Sequence, residues 1–90
     1  MAKSIHSPEY RLLCARLQRA RLSAGLTQTD VGARLQRPQS FVAKYEVGER
    51  RIDPIEFIRI CHVLGVSPGS LIQELSRAVR DSASGPRAGK

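Results

Sequence analysis

The chain has no tryptophan, and aromatic residues make up only 4% of its 90 positions. Any core must therefore be mostly aliphatic, as in small helical domains. Cysteine is scarce as well. Cys14 and Cys61, the 2 present, are far apart and in no C-x-x-C spacing, which excludes a disulfide framework. With no signal-peptide pattern at the N-terminus, reduced thiols and a cytoplasmic location are expected. No apolar run approaches the roughly 20 residues that a helix needs to span a bilayer. No glycine-rich phosphate loop and no internal repeat is present. His62 sits next to Cys61, so on a helix the two side chains diverge, and no second Cys/His pair completes a tetrahedral zinc site. The few acids stand where helices begin or where a cation would pair with them. Neither enzymatic chemistry nor a cofactor or metal is expected.

What the chain does have is positive charge. Lys and Arg total 15 against 8 Asp and Glu, a formal net charge of +7 carried mainly by arginine. A polyanion partner follows, nucleic acid before acidic membrane. The basic end of the chain has no amphipathic apolar face, which speaks against the membrane.

Proline and its neighbours then divide the chain. Ser7-Pro8-Glu9, Pro38, Asp53-Pro54-Ile55-Glu56 and Ser67-Pro68 place four of the 5 prolines at helix starts. Tyr10, Leu13, Cys14, Leu17 and Arg21 follow a helical spacing that Gly25 ends. Phe57, Ile60, Cys61 and Leu64 repeat it before Gly65, and Leu71, Ile72, Leu75 and Val79 lie along a fifth segment. An all-α fold of five helices in one domain is predicted. Residues 1–6 read as a flexible arm, 7–79 as the domain, and 80–90 as a disordered basic tail.

The second and third helices carry the chemistry. Thr27 is placed to cap the second, with Asp30 in its first turn and Val31 and Leu35 on one face. Gly32 is expected to let a second helix cross closely. Gln36-Arg37 forms a corner, and Pro38 is expected in the first turn of the third helix. There Phe41, Val42 and Tyr45 share one face, and Gln39, Ser40, Ala43 and Lys44 the other. This is the layout of a helix-turn-helix, whose second helix enters the DNA major groove. A glutamine amide there offers a donor and an acceptor, which suits adenine N6 and N7. Gln39, Ser40 and Lys44 are the base-reading candidates. Phe41 can pack on the fourth helix or touch a thymine methyl, and packing is favoured.

Arg21, Gly25-Leu26-Thr27-Gln28, Gln39-Ser40 and Lys44-Tyr45-Glu46-Val47-Gly48-Glu49-Arg50-Arg51 together resemble the phage-repressor/Cro (Xre) family. The likeness spans about residues 7–75 and implies a lambda-repressor-like domain. It implies that Gln28 bonds a phosphate and braces Gln39, and that Arg50 and Arg51 hold phosphates; Arg37 at the corner, and Arg11 or Arg19, are weaker candidates by position. It also implies a partly buried ion pair between Arg21 and Glu46. One departure is Gln36, at a corner where the family often has glycine. If it is left-handed, that costs on the order of 1 kcal/mol.

The fifth segment has more apolar surface than one stripe requires. A two-fold homodimer contact through Ile72 and Leu75 is expected, against the alternative that Leu71, Ile72, Leu75 and Val79 all complete the monomer core. The function expected is sequence-specific binding of double-stranded DNA by a small transcriptional regulator, a repressor at a near-palindromic operator. The alternative is a protein-interaction module or antitoxin-like partner on the same fold.

Overall fold

Ser7 opens the first helix by accepting the backbone N–H of Tyr10 on its hydroxyl at 3.0 Å. The computed structural model describes residues 7–84, with side chains to residue 81, so the arm at 1–6 lies outside it. Five helices follow: α1 Pro8–Ser23, α2 Gln28–Leu35, α3 Gln39–Glu46, α4 Pro54–Leu64 and α5 Pro68–Ser84. Reciprocal capping boxes start α2 (Thr27 with Asp30) and α4 (Asp53 with Glu56). Left-handed glycines follow α1 and α4: Gly25 at φ +74° and Gly65 at φ +75°.

The core gathers Leu17 of α1, Val31 of α2, Phe41, Val42 and Tyr45 of α3, Phe57, Ile60, Cys61 and Leu64 of α4, and Leu71 of α5. Cys14 is buried at its edge. Burial pushes the Cys61 thiol up to about 11, which leaves it protonated and unreactive at neutral pH. On the outer side an ion pair joins α1 to α5, with Arg16 Nε 2.6 Å from Glu74 Oε2.

The structure corrects or refines the sequence reading at four places. Helix α5 continues to Ser84, past the boundary expected at residue 79, because polar helix-compatible residues need not stop a helix already anchored on α1 and α4. Residues 85–90 lie outside the described part. Pro38 is the N-cap of α3, at φ −66° and ψ 158°, one position before the first turn. Gly32 makes room for the corner's backbone and the very start of α3: a Cβ there would stand 2.7 Å from the Arg37 carbonyl oxygen and 3.3 Å from that of Pro38. Along the described side chains of α5 only Leu71 joins the core, at 9% exposure, whereas Ile72 and Val79 remain 51% and 50% exposed. At about 100° per residue, α1 and α4 can cover one flank of α5 but not both.

Candidate nucleic-acid interface

Helix α3 is oriented by what it buries. Phe41, Val42, Tyr45 and Glu46 point inward, while Gln39, Ser40 and Lys44 are exposed on the other side. The Phe41 ring meets Tyr45 edge-on at 5.4 Å between centroids, so this aromatic packs inward. The corner before it turns on Gln36, which is left-handed at φ 59° and ψ 43° although not a glycine. Arg37 N–H closes the corner by donating to the Gly32 carbonyl at 2.9 Å.

A chain of polar groups runs from the core to the start of α3. Arg21 grips Glu46 with two parallel bonds, Nε to Oε2 at 2.7 Å and Nη2 to Oε1 at 3.1 Å. The side chains are 10% and 1% exposed. The bond to Glu46 holds the Arg21 guanidinium above its ordinary pKa, and its Nη1 also donates to the Leu26 carbonyl at 3.0 Å. Gln28 Nε2 donates to Glu46 Oε1 at 2.9 Å, and Gln39 Nε2 donates to Gln28 Oε1 at 2.6 Å. Each amide is thereby oriented by the group before it. A carboxylate can only accept, so Gln28 must turn its nitrogen to Glu46 and its oxygen to Gln39. Gln39 is left with its carbonyl oxygen and one N–H for a further partner. A hollow of about 510 Å³ beside this pair is lined by residues that include Leu22, Gly25, Thr27, Gln28, Thr29 and Gln39.

The arginines flank α3. Arg37, before it, and Arg50, after it, reach the same atom, Glu56 Oε2, at 3.1 and 2.9 Å. Their guanidinium carbons lie 4.4 and 5.1 Å from the centre of the Phe41 ring. Arg50 also donates to the Arg51 carbonyl. Arg51 stands apart, its guanidinium 4.6 Å from the centre of the Tyr10 ring. The Tyr10 hydroxyl accepts the Ile52 N–H at 3.2 Å and reaches the Arg50 carbonyl at 3.4 Å, pinning this loop to α1. Partial burial raises the Tyr10 hydroxyl pKa, with the Ile52 N–H pulling the other way.

The structure thus brings together Arg21, Glu46, Gln28 and Gln39, and separately Arg37 and Arg50. Ser40 and Lys44 share the exposed face of α3 with Gln39. Ile72 and Leu75 lie on α5, which packs on α1 and α4. Two residues that shape the site went unnoticed in the sequence. Glu56 reads there as a helix cap alone, and Tyr10 as core. Glu56 meets Arg50 across 6 positions and Arg37 across 19, and Tyr10 meets Ile52 across 42, beyond the reach of helix capping or periodicity.

The helix-turn-helix domain family matches residues 12–75 of the chain. A solved XRE-family like protein from Pseudomonas syringae pv. tomato str. DC3000 is 45% identical, with a TM-score of 0.77 over 83% of this chain and 92% of its own. A structure of the clp gene regulator ClgR from Corynebacterium glutamicum is 20% identical with a TM-score of 0.70, over 82% of this chain and 95% of its own. A second ClgR structure gives 18% and 0.70, over 92% and 88%. Identities that low speak for the fold alone. No curated protein matches.

Proposed function

The chain belongs to the XRE family of helix-turn-helix DNA-binding regulators, and we propose that it reads double-stranded DNA through α3 as a small repressor at a near-palindromic operator. The observation that carries this reading is the relay from Arg21 through Glu46 and Gln28 to Gln39. It fixes the direction of an exposed amide at the start of α3 before any DNA arrives. An oriented donor–acceptor pair there suits adenine N7 and N6. Ser40, the next residue, and Lys44, one turn on, can reach neighbouring base edges or a phosphate. Arg50, Arg51, Arg37 and the second amide N–H of Gln28 supply the phosphate contacts that set register and salt dependence.

The exposed side of α5 supports a homodimer. Ile72 is 51% exposed, and Leu75 lies one turn further along, partly covered. A two-fold contact there would suit half-sites about 34 Å apart. Such a regulator works in the cytoplasm beside its DNA. Among the described residues no helix is long and apolar enough to cross a membrane. The rival reading, a protein-interaction module or antitoxin-like partner, would want an apolar α3 face. Gln39, Ser40 and Lys44 speak against it.

The test is a titration of the chain against its own upstream region and against random duplex at several salt concentrations. Tighter binding to the upstream region is expected. Gln39→Ala should lose about 1–3 kcal/mol on the preferred site alone. Arg51→Ala should weaken both duplexes alike and lower the salt slope by about one unit. Absence of DNA binding by the unmodified protein would favour the protein-partner reading. Sedimentation showing only monomer, with and without DNA, would remove the dimer.

A further inference from the structure

Glu56 divides its two oxygens between unrelated tasks. Oε1 accepts the Asp53 backbone N–H at 2.9 Å and so completes the cap of α4. Oε2 takes no part in the cap and accepts from both Arg37 and Arg50. These arginines come from different segments, the corner before α3 and the loop after it. Among the described residues, the carboxylate and the Phe41 ring hold them side by side. Glu56 is 15% exposed, whereas the arginine side chains are 42% and 41% exposed, so the anion sits behind and the cations in front.

Two guanidinium groups on one carboxylate leave a local charge of +1. A guanidinium has five N–H donors. Glu56 accepts one from each arginine, and Arg50 directs another to the Arg51 carbonyl. The remaining donors stay available for a second anion. A free arginine must give up rotamer freedom to hold a phosphate, and these two have given up part of it already.

We propose that Glu56 is a positioning residue: it holds Arg37 and Arg50 as one preorganised two-pronged clamp for DNA phosphates. The inference deepens the DNA-binding reading and rests on Arg37 and Arg50 as phosphate contacts. Glu56 itself touches no DNA. Its effect passes through the arginines, which separates it from a general effect of charge. A negative charge near DNA only repels, and its removal should strengthen binding whether or not the arginines are present. A positioning group acts only while there is something to position.

The experiment is a double-mutant cycle read by binding to random-sequence duplex, because phosphate contacts need no particular sequence. Melting curves accompany each variant, so that affinity is compared between folded proteins. Glu56→Gln keeps an oxygen for the α4 cap and cannot hold both arginines. Glu56→Asp keeps the charge but falls short by one methylene. Arg37→Ala/Arg50→Ala should weaken binding and lower the salt slope by about two units. In the otherwise unchanged protein, Glu56→Gln and Glu56→Asp should each lose about tenfold in affinity. In the arginine-free background neither should lose any. An equal effect in both backgrounds would overturn the proposal, as would tighter binding that depends on the arginines, since Glu56 would then be competing with DNA. If the double arginine variant kept its affinity and salt slope, the phosphate reading would fail and this inference with it. An intact arginine effect without coupling to Glu56 would overturn the inference alone.

Discussion

Gln28 donates its amide N–H to Glu46 at 2.9 Å, which leaves its carbonyl oxygen facing Gln39. The bond converts a buried charge into the orientation of an exposed amide. Gln28→Ala should therefore act on recognition at a distance from the bases. Gln39 would lose its brace, and preference at its base pair should relax toward that of Gln39→Ala, with folding stability little changed. Binding-site selection on the two variants checks this. Full retention of the base preference in Gln28→Ala would show that Gln39 orients itself.

The Arg21–Glu46 pair should be costly to break from one side. Arg21→Met or Glu46→Leu leaves an uncompensated buried charge, worth about 3–5 kcal/mol. For a domain of ordinary stability that approaches unfolding. The double replacement removes both charges and should recover much of the loss. It should still bind DNA with poor specificity, because Gln28 no longer has Glu46 to bond. Urea midpoints measure the first effect, and site selection the second.

At the corner, opposite outcomes are expected from changes four residues apart. Gly32→Ala drives a Cβ against the Arg37 carbonyl, which as backbone cannot swing away. A loss of about 1–3 kcal/mol is expected. Gln36→Gly relieves a left-handed non-glycine residue and should gain about 1 kcal/mol. Thermal melts of the two variants against the parent decide both signs.

Tyr45 is fully buried, and its hydroxyl has no hydrogen-bond partner among the described residues. Burial raises its pKa above the ordinary tyrosine value. Tyr45→Phe removes an unsatisfied polar group and keeps the edge-on contact with Phe41. A gain of about 1 kcal/mol in denaturant unfolding is expected. A clear loss would show that the hydroxyl has a partner.

Acid should weaken the start of α2. The Thr27 backbone N–H, and then the Thr27 hydroxyl, hold the Asp30 carboxyl below its ordinary 3.8. A lowered folded pKa means that the contribution is complete above the ordinary value and is lost as pH falls through the folded one. Asp30 is exposed, so the effect is modest. Asp30→Asn should lower the melting temperature slightly at neutral pH, where the carboxylate contributes, and change it little below the folded pKa, so that the acid limb of melting temperature against pH flattens.

The helix starts were legible because capping is local. Ser7 with Tyr10, Thr27 with Asp30, and Asp53 with Glu56 each need only three positions of chain. The same short range exposed the inward face of α3, and with it the outward Gln39, Ser40 and Lys44. The links between Gln28 and Gln39 and between Arg21 and Glu46 came from resemblance to a family, not from spacing. Tertiary structure alone decided that Arg37 and Arg50 meet at Glu56, that Tyr10 pins the loop after α3, and that Leu71 is covered while Ile72 is not. The division has a physical cause. Helical periodicity and capping follow from backbone hydrogen bonds a few residues apart, whereas long side chains find their partners only where packed helices bring distant segments together.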